Sequence, residues 1–154
     1  MLPKTHFLAG LIFSGLIYLL FPELNLIYLF IFFLSTFLID FDHYLYYIYK
    51  YKNYNLMSAY KLFRKNSKFF NILNKNERRN YTSGIFIFHG VETIIISFFL
   101  GLLWEGFYFV GLGIVFHLIL DYIEKFRNFH PPTKVSIFYD LIVSKKFREV
   151  PSKL

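Results

Sequence analysis

Long apolar runs separated by a few short polar breaks dominate this chain. Four apolar segments can be delimited: residues 6–21, 24–49, 85–104 and 107–123. Pro22-Glu23-Leu24-Asn25 is typical of a turn, and Glu105-Gly106 interrupts the last two segments. The first and last segments are short for a span of about 20 residues. The breaks still favour an all-α integral membrane bundle of four transmembrane helices.

Composition supports the membrane class. Hydrophobic residues make up 56% of the chain and aromatic residues 23%, whereas soluble domains average roughly 45–50% apolar residues. No linker or internal repeat divides the 154 residues, so we expect one membrane-embedded domain, 1–154. There are no cysteines. Any metal must therefore be held by nitrogen and oxygen ligands.

The positions of the basic residues predict an orientation. All 17 Lys and Arg residues lie at Lys4, in the loop 50–79, or after Ile123, while the two opposite turns carry only Glu23 and Glu105. By the positive-inside rule, the basic side is cytoplasmic. We therefore expect a multi-pass inner-membrane protein with both termini and the loop in the cytoplasm.

Histidines and carboxylates recur at one depth of this predicted bundle. His6, Asp40, His89 and Asp121 each lie 15 residues from the nearest outer turn, a rise of about 22 Å in an α-helix. A single histidine in a spanning helix is about as often a hydrogen-bonding partner for a neighbouring helix as it is part of a metal or catalytic site. A shared layer is different, because ionisable groups in hydrocarbon are costly unless they are paired, ligated or hydrated. The layer therefore predicts a functional site.

The spacing within the helices suits metal binding. One pair is spaced i,i+4 and two are spaced i,i+3, so each pair projects from one helix face. The predicted ligands are His6, Asp40, His43, His89, Glu92, His117 and Asp121. Imidazole and carboxylate suit zinc, iron or manganese, and seven ligands leave room for one or two ions, with zinc preferred. Asp42 points elsewhere if its helix continues, and is a candidate to orient a ligand, bind substrate or act as a base.

The cytoplasmic loop 50–79 carries nine basic residues against Glu77. Four apolar residues recur in it at helical spacing with basic residues between them, which predicts a helix at the lipid surface. They are Leu56, Tyr60, Phe63 and Phe70, with Lys61, Arg64, Lys65 and Lys68 between them. Anionic lipid headgroups are the expected partner, and nucleic acid is less favoured beside a spanning bundle. Residues 135–146 suggest a second surface helix, and His130 is taken as a loop residue.

Short motifs in this chain resemble a known family, the LexA-binding, inner-membrane-associated metal-dependent hydrolases. The resemblance spans roughly residues 5–124 and rests on the following elements: Thr5-His6-Phe7-Leu8-Ala9-Gly10, Asp40-Phe41-Asp42-His43, a histidine opening a later helix, and His117-x3-Asp121. The family's His-x3-Asp element is in turn similar to zinc-dependent phospholipase C sites. The resemblance implies a helical fold and phosphodiester hydrolysis at a metal cluster.

The chain departs from that family in one motif. Where the family shows His-Arg-Gly-x-Thr-His-Ser, this sequence has His89-Gly90-Val91-Glu92-Thr93 and lacks the arginine and the second histidine. The substrate and the number of metal ions implied by the resemblance do not transfer automatically.

Three functions follow from these observations. The first is a membrane-bound metal-dependent hydrolase of a phosphoester, acting on a lipid or lipid-linked phosphate at the cytoplasmic face. The second is a metal-ion or proton transporter, which needs a polar path through the outer half of the bundle. Residues 7–21, 26–39, 94–104 and 107–116 contain no Asp, Glu, His, Lys or Arg, which argues against such a path. The third is a membrane adaptor with a structural metal.

Overall fold

The computed structural model describes residues 3–78, 80–82, 84, 86–128, 136–143 and 148–149. In this part of the chain the structure is helical apart from one pair of two-residue strands. The helices are α1 (Pro3–Leu20), α2 (Leu26–Leu38), α3 (Phe41–Tyr51), α4 (Leu56–Ile72), α5 (Lys75–Arg78), α6 (Val91–Gly101), α7 (Gly106–Asn128) and α8 (Ile137–Val143). A 3-10 turn, Ile87–His89, precedes α6. Strands β1 (Tyr81–Thr82) and β2 (Arg148–Glu149) pair in parallel.

Three stretches of helix are long and apolar enough to cross a membrane: Pro3–Leu20, Leu26–Tyr51 and Gly106–Asn128. The four-span count is not confirmed, because the third predicted span is represented by α6. That helix has 11 residues and a length of about 16 Å, against a hydrocarbon thickness of about 30 Å. The segment before it is the 3-10 turn followed by Gly90 in an extended conformation. The apolar run is therefore only partly α-helical.

Burial is inverted relative to a soluble domain. Large apolar side chains such as Leu8, Ile12 and Leu19 lie on the outer surface of α1, whereas His6, Gly10 and Ser14 of the same helix are buried. An apolar surface of this kind requires an apolar solvent. The arrangement is that of a membrane bundle whose polar side chains face one another.

Helices α2 and α7 form the centre of the bundle, where α2 packs against α1 and α7, and α6 packs against α7. Glycines permit the close crossings. A Cβ at Gly10 would lie 2.0 Å from Oγ1 of Thr36, and a Cβ at Gly113 would lie 2.7 Å from the carbonyl oxygen of Phe32. Small residues at helix crossings are typical of membrane bundles.

Gly10→Ala tests the α1–α2 crossing. The added methyl group would displace Oγ1 of Thr36, which donates a 2.7 Å hydrogen bond to the carbonyl of Phe33. We expect a loss of about 1–3 kcal/mol of stability, seen as a lower midpoint of thermal unfolding in detergent. Gly15→Ala is the matched control, because nothing lies within 4 Å of a Cβ there. Equal effects of the two changes would contradict this account of the crossing.

Candidate metal centre

A break between α2 and α3 turns the side chains of Asp40, Asp42 and His43 towards the cluster described below. Asp40 lies in a turn between the helices, and its N–H donates to the carbonyl of Phe37 rather than continuing the i,i−4 pattern. The N–H of His43 likewise donates to the carbonyl of Asp40. These i,i−3 bonds tighten the chain locally. Asp40 and Asp42 are consequently both buried, although they could not share a face of one continuous α-helix.

Asp42 holds the segment that carries His89. Its Oδ2 accepts a 3.0 Å hydrogen bond from the backbone N–H of Phe88 and lies 2.9 Å from Nδ1 of His89. Both contacts are made to the 3-10 turn before α6. This is the position of a carboxylate that orients a histidine ligand, which was one of the three roles predicted for Asp42.

His117 is held in the same way by the backbone of α2. Its Nδ1 lies 2.8 Å from the carbonyl oxygen of Thr36. In an uninterrupted helix that carbonyl would accept from the N–H of Asp40, but that N–H bonds to Phe37 instead. The helix break therefore provides the acceptor that orients His117.

These two contacts determine which nitrogen of each ring carries the proton. A carbonyl oxygen and an ionised carboxylate can only accept, so Nδ1 must donate in both His117 and His89. In the neutral imidazoles Nε2 then carries a lone pair. The two Nε2 atoms are 3.0 Å apart, and both side chains are fully buried. At that distance the two nitrogens can share one proton, or both can serve as ligands of one metal ion.

Carboxylate oxygens complete the shell around these nitrogens. Oδ1 of Asp40 lies 3.5 Å from Nε2 of His89 and 3.7 Å from Nε2 of His117. Oδ2 of Asp121 lies 3.9 Å from both nitrogens. Bonds of about 2.0–2.2 Å in a tetrahedral zinc site separate neighbouring ligand atoms by roughly 3.3–3.6 Å. The separations in the cluster, 3.0 to 3.9 Å, lie around this range, so the donor set could hold a divalent metal ion.

His6 and His43 flank this shell on opposite sides. Nε2 of His6 lies 3.2 Å from Oδ1 of Asp121, and its ring stacks on that of His117 at a centroid distance of 3.8 Å. Nε2 of His43 lies 3.5 Å from Oδ1 of Asp40, and its ring stacks on that of His89 at 5.0 Å. α1, α3, α7 and the turn before α6 thus each contribute an imidazole.

Three groups of side chains could hold a metal ion, because the ligand atoms within each group all lie within 4.8 Å of one another. They are His6–Asp40–His117, Asp40–His43–His89 and His89–His117–Asp121. Because the groups overlap, they form one cluster of six side chains. Six of the seven predicted ligands are therefore brought together. The cluster could hold a metal, and the overlap is compatible with two ions.

Glu92 does not belong to the cluster, and its prediction as a ligand is corrected here. Its carboxylate accepts hydrogen bonds from the hydroxyl of Ser136 and from the N–H of Ile137 at the start of α8. The spacing to His89 suggested a shared helix face, but Gly90 is extended and the helix begins only at Val91. His89 and Glu92 therefore do not lie on the same helix. His130 lies outside the described residues.

A cavity of about 390 Å³ lies beside the cluster. Asp40, His43 and Asp121 line it, whereas His6, His89 and His117 are fully buried and are not part of its wall. The far wall is one face of α4. A metal ion in the cluster would thus have buried imidazoles on one side. On its other side would lie carboxylates that line the cavity.

Comparison of the chain with models of known protein families, with characterised proteins and with solved structures finds no match.

Asp121→Asn and Glu92→Gln test the ligand assignment as a pair. Both replace a carboxylate by an amide of nearly the same size. We expect Asp121→Asn to lose bound metal while the protein still inserts and stays folded, because the anionic ligand is lost but the packing is kept. Glu92→Gln should keep its metal. Metal analysis of the detergent-purified proteins measures this, and retention of full metal content by Asp121→Asn would contradict the assignment.

Asp42→Asn tests the orienting contact to His89. An amide oxygen in place of Oδ2 would be a weaker acceptor for Phe88 and His89 and would lack the negative charge that makes the ring a stronger metal ligand. We expect metal affinity to fall by about 10–100-fold, measured by competition with a coloured chelator. Tyr49→Phe, on the exposed side of α3 and away from the cavity wall, is the control and should leave the affinity unchanged. An unchanged affinity in Asp42→Asn would remove the orienting role.

Proposed function

We propose that this protein is a membrane-bound, metal-dependent hydrolase that cleaves a phosphoester of a lipid or lipid-linked substrate at the cytoplasmic face of the inner membrane. The observation that carries the proposal is the convergence of imidazole nitrogens and carboxylates, close enough together to hold a metal ion, at the edge of a cavity. A purely structural metal would not need an adjacent space of ligand size.

The residues fall into three roles in this proposal. His89, His117, Asp40 and Asp121 hold the metal, with His6 and His43 available for a second ion. Asp42 positions His89 through Nδ1. A divalent ion, zinc by preference, lowers the pKa of water and offsets the charge of a phosphate. Hydrolysis adds water to phosphorus, breaks the bond to the leaving alcohol and returns a proton to that alcohol oxygen.

The motif resemblance supports the same class of reaction. The stretch 40–43 and the pair His117 and Asp121, which carry the resemblance to metal-dependent hydrolases, are also the parts of the sequence that meet in the cluster. The missing arginine and second histidine after His89 leave the substrate to be argued from this chain's own cavity.

Ion transport is the weaker alternative. The outer halves of the apolar segments, residues 7–21, 26–39, 94–104 and 107–116, contain no Asp, Glu, His, Lys or Arg. Moving a metal ion through such a layer would require removing its water with no ligands in return. A site open to one side suits catalysis better than transport.

The test is release of phosphate or headgroup from native lipids by protein purified in detergent. We expect turnover that a chelator abolishes and that added divalent metal restores, and a loss of at least about 100-fold in His117→Ala. Glu92→Gln is the matched control and should retain its activity. The protein is also placed in liposomes: metal uptake that vanishes in His117→Ala, without any hydrolysis, would replace this proposal by transport.

A further inference from the structure

The cavity beside the cluster has two kinds of wall. Its lipid side is apolar and includes Leu38, Phe41 and Leu56. Its other side is polar and includes side chains from the end of α4 and the end of α7: Asn66, Ser67, Asn71, Glu124, Lys125 and Asn128. Asp40 and Asp121, the carboxylates of the cluster, also line the cavity. A molecule that fills this space must itself be part apolar and part polar.

The apolar wall opens towards the bilayer. Leu38, Phe41 and Leu56 line the cavity and are 51%, 52% and 64% exposed, so the cavity is open at these residues. Leu38 and Phe41 also lie within the apolar stretch Leu26–Tyr51. Side chains that belong both to the cavity wall and to a lipid-facing surface mark an opening between the two. Pro3, at the start of α1, lines the same region.

Helix α4 forms the remaining wall with one of its two faces. The residues that line the cavity recur at intervals of three and four: Leu56, Ala59, Tyr60, Phe63, Asn66, Ser67, Phe70 and Asn71. The basic residues Lys61, Arg64, Lys65 and Lys68 form another stripe and do not line it. The apolar stripe that the sequence assigned to the lipid surface therefore faces a cavity. The basic stripe is left for anionic headgroups.

We propose that the cavity is an acyl-chain slot: one chain of a phosphorylated amphiphile enters sideways from the bilayer between α1, the α2–α3 junction and the start of α4, and places its phosphate at the cluster. This rests on the function proposed above and specifies its substrate. Ala59 and Phe70 are the buried residues of α4 in the wall of the slot, so a change in the size of either side chain changes the space inside it. Both side chains are buried, line the cavity and differ greatly in size.

The experiment measures binding separately from turnover. Its probes are single-chain phosphonate amphiphiles of graded chain length, which resist hydrolysis and carry a photoactivatable group at the chain end. They are added to the full-length protein in detergent. We expect the label on peptides from α4 and from residues 37–44, with affinity rising with chain length up to a limit. Labelling confined to the outer surface of α1, or affinity that does not depend on the chain, would overturn the slot.

Two opposite substitutions keep the test decisive if one of them folds poorly. Ala59→Leu fills the slot and should weaken binding of the long-chain probe roughly tenfold while sparing the short one. Phe70→Ala enlarges the slot and should shift the preferred length upwards. Ser58→Leu lies beside Ala59 but does not line the cavity, and it should change neither. Equal chain-length profiles in all of these proteins would contradict the proposal.

The two proposals fail in different ways. A protein that hydrolyses a chain-free phosphoester as fast as a chain-bearing one keeps its function as a hydrolase and loses the slot. The opposite result is binding of the amphiphile by its chain in the cavity, with the expected shifts in the variants, but without hydrolysis of any phosphoester. That result would support the slot and contradict the catalytic function.

Discussion

The buried contact between the imidazole rings of His89 and His117 is the interaction on which the rest of the cluster depends. Nδ1 of His89 is committed to Asp42 and Nδ1 of His117 to the carbonyl of Thr36, so the two Nε2 atoms face each other 3.0 Å apart. A ring that turned away would lose its buried contact to Asp42 or to the carbonyl of Thr36. Carboxylate oxygens of Asp40 and Asp121 lie beside the same nitrogens. A metal ion held there would bind the nitrogens and offset the charge of the carboxylates.

The membership of the cluster was largely predictable from the sequence because depth in a membrane bundle can be counted. An α-helix rises by a constant amount per residue, and the short outer turns give all segments a common origin. A shared depth could therefore be predicted from the sequence, before any packing was known, for four residues: His6, Asp40, His89 and Asp121. The helices of a soluble fold have no common starting plane, so depth cannot be counted in this way.

Local breaks in the helices were not predictable by the same counting. The face shared by Asp40 and Asp42 depends on two i,i−3 hydrogen bonds, and the exclusion of Glu92 depends on extended backbone at Gly90. Both are accompanied by contacts to residues distant in the sequence: Asp42 to Phe88 and Glu92 to Ser136. The apolar run 85–104 likewise predicted a fourth full span, whereas the α-helix within it has 11 residues. Periodicity reports the solvent around a segment and says little about where its helix stops.

Thr36 joins the packing of the helices to the geometry of the cluster. Its side chain meets Gly10 of α1, and its carbonyl orients His117 of α7. One residue of α2 thus fixes the positions of both neighbouring helices. Independently inserted helices have no strong hydrophobic reason to associate once they are in lipid. The candidate ligands come from several separate elements of the chain, so the cluster exists only when the helices are associated, and a metal ion bound there would favour the associated state.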